Sequence, residues 1–232
     1  MKKLTLGLLV ASSLFGCAST AIMVKSDAVS AQPVLPVTVD GKFGGFGDEG
    51  SFKVAELYNG RFTRDSNKSS YFGVMGSTQG SMMAELDSKD GKHWKLQCSG
   101  KESNLSLASL GLSSKAKPFK CDITEDGQSV GTYEITAEHS LMGASKESGF
   151  VSVNGVKIQL AAVKKAQGSA FETGQPLGYS FTIDGKEVAA TQTNGSISIQ
   201  MLPELTDSQR DTVVVGSIAS ALSWRPENRE DD

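Results

Sequence analysis

The chain has 232 residues, 38% of them hydrophobic and 21% charged, with 25 glycines and a net charge of −3. That length falls near one domain, at roughly 100–200 residues each, and is long enough to bury a core. Charges of alternating sign argue against wholesale disorder, and the acidic balance argues against nucleic acid, whose binding rests on neutralised phosphates.

Lys2 and Lys3 form a positive start, and Leu4 to Leu14 an apolar run of eleven residues. A bilayer-spanning helix needs about 20, whereas a signal-peptide core needs about 7–15. Residues 1–16 therefore read as a signal peptide. Leu14-Phe15-Gly16-Cys17 resembles the lipobox of bacterial lipoproteins, with a large aliphatic three residues before the cysteine and a small residue just before it. Phe15 departs from the small or β-branched residue usual at its place. The resemblance implies cleavage before Cys17, a diacylated thiol (palmitate being the chain to look for) and often an acylated new amino group. Ala18, where many such bacteria place aspartate to retain a lipoprotein at the inner membrane, implies the outer membrane, periplasmic face. Two or more chains anchor stably where one does not. The rival is an ordinary secretory signal cut after Val29-Ser30-Ala31, far from the apolar core. Removing residues 1–16 takes away Lys2 and Lys3 and leaves 21 basic against 26 acidic residues, a net charge of −5.

Residues 18–37, with Pro33 and Pro36, read as a flexible, extended tether, so that 17–37 comprise the lipidated cysteine and its linker. A single β domain follows over 38–232. Seven Asp-Gly or Asn-Gly dipeptides, starting at 40, 59, 90, 126, 154, 184 and 194, supply the positive φ that tight hairpins need. Around them apolar residues alternate with polar ones: Trp94, Leu96 and Cys98; Phe119, Cys121 and Ile123; Tyr133, Ile135 and Ala137; Val151 and Val153; Val156, Ile158 and Leu160; Tyr179, Phe181 and Ile183; Ile197, Ile199 and Met201. One apolar face and one polar face mark a half-buried antiparallel strand. About ten to twelve strands fit.

Of the three cysteines, a lipidated Cys17 leaves Cys98 and Cys121 as one pair, both on apolar strand faces. A disulfide there stabilises by roughly 3 kcal/mol in the chain-entropy model; two buried thiols are the alternative. Between them, residues 100–117 carry Leu105, Leu107, Leu110 and Leu112, read either as a hairpin insertion with a short helix packed on the barrel end or as an apolar flap meeting lipid or a partner.

Near the C-terminus, Thr206-Asp207-Ser208-Gln209 has the form of a capping box, and Asp207 suits the positive end of a helix dipole. This predicts a helix over about 207–224, stopped by Pro226. Its last thirteen residues carry no charge, so it would be buried on all sides. The β-branched run Thr212 to Val215 offers a last strand instead.

A strand-rich domain ending in a slim apolar helix is similar to the tubby-like superfamily, including its LURP-one-type and phospholipid scramblase domains. The resemblance is carried by Tyr179 to Ala190, Ile197 to Leu202 and Asp207 to Trp224. It implies a closed antiparallel barrel around a central C-terminal helix. The family's basic phosphoinositide pockets, calcium sites and palmitoylated cysteines have no matching motif here.

His93 and His139 show no metal-ligand spacing, and His93 falls on a polar strand face. Ser114-Lys115-Ala116-Lys117 has the Ser-x-x-Lys spacing of some acyl enzymes without their companion motifs, and Asp87/Asp90 and Glu125/Asp126 suit turns rather than calcium loops. The sequence thus reads as a mainly β protein, an antiparallel barrel of about 10–12 strands with one buried C-terminal helix (alternatively an open barrel or sandwich). The expected function is a non-catalytic outer-membrane lipoprotein, without cofactor or metal, held by its lipid anchor and binding envelope lipid or protein. The alternative is a periplasmic carrier of a small apolar ligand in a barrel pocket.

Overall fold

The computed structural model describes residues 20–41, 49–65, 81–99, 118–139 and 145–223. Cys17, residues 100–117, Trp224 and the acidic end lie outside the described residues, as does the side chain of His139.

Among the described residues twelve strands follow in order. They are β1 Leu35–Gly41, β2 Glu49–Val54, β3 Tyr58–Asp65, β4 Ser81–Ser88, β5 His93–Ser99 and β6 Phe119–Glu125. Then come β7 Gln128–His139, β8 Ser145–Val153, β9 Val156–Val163, β10 Gly178–Ile183, β11 Lys186–Gln192 and β12 Ser198–Met201. Each pairs antiparallel with its sequence neighbour, and β1 closes on β12 through Leu35–Ile199 and Pro36–Ser198. The result is a closed antiparallel barrel, in which each described strand has a neighbour on both sides.

The alternating apolar residues turn inward. Phe52, Trp94, Leu96, Tyr133, Ile158 and Phe181 are fully buried inside the wall. Asp126-Gly127, Asn154-Gly155 and Asp184-Gly185 are two-residue hairpin turns with positive φ at both positions, as the dipeptides demand. Asn59-Gly60 does otherwise: it lies inside β3, where a Cβ at Gly60 would collide with the Phe52 ring and the Glu85 carbonyl. Glycine there makes room for a neighbouring ring rather than for a turn.

The helix α2 spans Asp207–Leu222, with Thr206 as N-cap and the reciprocal Gln209 bonds of a capping box. Residues 211–220 and Leu222 are buried, because the helix runs inside the barrel. An unpaired strand at that place would leave its N–H and C=O groups unsatisfied, whereas a helix satisfies them internally. This decides Thr212–Val215 for helix despite their β-branching. Small residues keep it slim: a Cβ on Gly216 would stand 2.9 Å from both Phe181 and Val151.

Residues 20–37 correct an expectation. Instead of an extended tether they form a strap along the outer wall, and β1 begins at Leu35. The short helix α1 (Asp27–Ser30) is capped by Ser26 and touches β11 and β12. Met23 and Val29 are 0% exposed. Two apolar side chains sealed from water outweigh the composition that suggested a linker.

Among the described residues, Tyr58 and Lys92 meet Asp211 near the start of α2 at one rim. At the other, the β9–β10 and β11–β12 connections meet the start of the strap, with Thr20 beside Gly195.

Candidate functional site

Alternation along β3, β7 and β11 points Tyr58, Tyr133 and Thr191 at the helix, and each finds a polar partner there. The Tyr58 hydroxyl donates to the Asp211 carboxylate at 2.7 Å. Tyr133 and Ser220 share a hydrogen bond at 3.1 Å, and Thr191 and Ser217 one at 2.5 Å. Every fourth strand of the ring contributes, so the helix is held from three directions. Buried polar groups cost little only when paired, and these pairs fix the helix in rotation as well as depth.

At the turn rim Asp211 also takes an ion pair from Lys92 Nζ at 2.5 Å, and that ammonium lies 5.9 Å over the Trp94 ring. Burial pushes the Tyr58 phenol well above its ordinary range, and the adjacent Asp211 carboxylate pushes it further. The hydrogen bond to Asp211 raises the Lys92 ammonium, against a smaller opposing effect of burial. The cluster ties the wall to the helix through one carboxylate.

The strap is bound through its backbone. Gln192 and Gln200 face away from the helix, since their neighbour Thr191 faces it. Gln192 accepts from Met23 N and donates to Ala21 O, each at 3.2 Å; Gln200 donates to Ser30 O at 3.1 Å and Gln32 O at 2.7 Å. Glu187 accepts from Ser26 N at 2.6 Å, and Lys25 donates to Gln200 at 2.6 Å. Burial lowers the Lys25 ammonium, partly offset by Glu187. Val24 and Ile22 pair with Lys165 and Gln167 of the β9–β10 connection.

Of the residues singled out in the sequence, Cys98 and Cys121 stand opposite each other on β5 and β6 and form a disulfide, S–S 2.01 Å and Cα–Cα 3.8 Å. His93, half-exposed, has Nδ1 2.6 Å from Asp87. Cys17, Ser114 and Lys117 lie outside the described residues. No motif or periodicity in the sequence marks Tyr58, Lys92, Met23, Gln192 or Gln200 as partners; Asp211 is marked only as the last charge before the uncharged helical run. Among the described residues no helix is long and apolar enough to cross a membrane. No protein-family model, curated protein or solved structure matches the chain.

Proposed function

We propose that this protein is a lipid-anchored envelope protein, acylated at Cys17 and held at the periplasmic face of the outer membrane, whose barrel is a non-catalytic module binding envelope lipid or protein. The observation that carries the reading is the strap. Cleavage after Ala31, the route to a freely secreted form, would cut at the end of α1 and sever Met23 and Val29 from the fold they complete. Cleavage before Cys17 leaves the strap whole and starts it three residues from Thr20.

The interior supports binding at the surface rather than carriage within. α2 occupies the axis that an apolar ligand would need, and its polar side chains are engaged with Tyr58, Tyr133 and Thr191. A closed barrel around a C-terminal helix is also the arrangement that kinship with the tubby-like superfamily implies, and we read the chain as a bacterial member of that architecture.

Radiolabelled palmitate fed to cells making wild type and Cys17→Ser tests the anchor. Wild type should carry label and sediment with membranes; Cys17→Ser should do neither. Label retained in Cys17→Ser, or a wholly soluble wild type, overturns it.

A further inference from the structure

We propose that the β9–β10 connection, beside the start of the strap, is seated on the phospholipid layer, with Phe171 and Ile22 entering its interface. The inference rests on the Cys17 anchor and deepens it by giving the barrel an orientation. From Cys17 to Thr20 there are three residue steps of at most about 3.6 Å, so the acylated residue can stand no more than about 11 Å from Thr20. The chain cannot swing further away, because Met23 is sealed against the wall three residues on and Asn194 holds Ala21 O at 2.8 Å.

The second observation is what stands at that height. After β9 the chain pairs antiparallel with the strap, Met23 bridging Ala166, and Gln167 N donates to Ile22 O. The strap descends from the anchor, so this segment climbs toward it and turns over between Gly168 and Phe171. It returns through the Lys165–Glu172 bridge. Phe171, at the tip, is 82% exposed, the most exposed large apolar side chain among the described residues; Ile22 is 50% exposed, against 58% for Val34 and 41% for Leu57 toward the opposite rim. Moving an exposed phenylalanine ring from water into a lipid interface is favourable in proportion to the apolar area removed from water. A second copy of the chain has no comparable claim, since the anchor brings the bilayer to this rim in every molecule.

The acylated full-length mature protein, reconstituted in phosphatidylethanolamine–phosphatidylglycerol vesicles, tests the orientation. With Cys17 acylated and Cys98 bonded to Cys121, a thiol introduced by Phe171→Cys or by Lys186→Cys at the opposite rim takes an environment-sensitive fluorophore. Both positions are exposed, Lys186 by 66%, so neither variant threatens folding. The probe at 171 should shift to the blue and be quenched several-fold more by bromine-labelled acyl chains than the probe at 186. Equal quenching, or a blue shift without quenching (a protein partner or second copy covering the site), overturns the docking in protein whose mass shows acyl chains on Cys17, and leaves the anchor standing. Protein whose mass shows no acyl chain overturns both.

Discussion

Tyr58, at the start of β3, reaches Asp211 of the central helix at 2.7 Å across 153 positions of sequence, and this bond ties the turn rim to the helix inside it. Lys92 shares the same carboxylate but is 38% exposed on its side chain. The two partners therefore differ in what their loss leaves behind.

Removing a buried donor from a charged acceptor costs about 1.5–3 kcal/mol, whereas a half-exposed ion pair contributes below about 1 kcal/mol. Tyr58→Phe should lower the urea-unfolding free energy by the larger amount and Lys92→Met by the smaller. The reverse order would show that the ion pair, not the phenol, secures the helix.

The same cluster contributes to stability at alkaline pH. Both pKa values are raised in the folded state, so the folded form binds protons that the unfolded form releases. Their contribution is complete below the ordinary values of 10.0 for Tyr58 and 10.5 for Lys92, and is lost as pH rises through the folded values. Urea midpoints followed from pH 8 upward should fall beyond about pH 10, and fall less steeply in Tyr58→Phe. On the acid side Glu85 behaves oppositely. Burial alone would raise its carboxyl, but hydrogen bonds from Arg61 and Lys95 outweigh it and bring the value below the ordinary 4.5. That stabilisation is present above 4.5 and lost as pH falls through the folded value, so Glu85→Gln should flatten the acid limb.

Gly216→Ala would gain about 1 kcal/mol in an exposed helix. Here the added methyl meets Phe181 and Val151 at 2.9 Å, and overpacking of this kind costs typically about 1–3 kcal/mol. Thermal unfolding should show a net loss for Gly216→Ala and a larger one for Gly216→Val. A rise in Tm for Gly216→Ala would mean that α2 is not enclosed.

Met23→Ala separates strap from tether. A fully buried methionine truncated to alanine costs about 2–5 kcal/mol, while a linker residue costs nothing measurable. Denaturant unfolding of the two proteins decides it, and an unchanged midpoint would return residues 20–34 to the tether expected from their composition.

What could be read ahead follows from where the information lies. Period-two alternation such as Tyr179-Phe181-Ile183 is local, so strands, their inward faces and the Cys98–Cys121 pairing were visible in the sequence. The capping box at Thr206 and Gln209 placed the start of α2. Closure of β1 on β12 is a long-range pairing of few residues, and no local pattern encodes it. Asn59-Gly60 misled because the same dipeptide that makes a turn also makes space beneath a ring. The strap stayed hidden because the period-two positions between Met23 and Val29 hold charged Lys25 and Asp27, while the glutamines that receive its backbone sit about 170 residues away.

Intact mass and N-terminal peptide analysis of the mature protein purified from membranes bears most directly on the lipid anchor. A first residue of Cys17 carrying acyl chains is the expected result. An unmodified amino terminus at Gln32 would contradict it, and would mean that the mature barrel folds without Met23 and Val29.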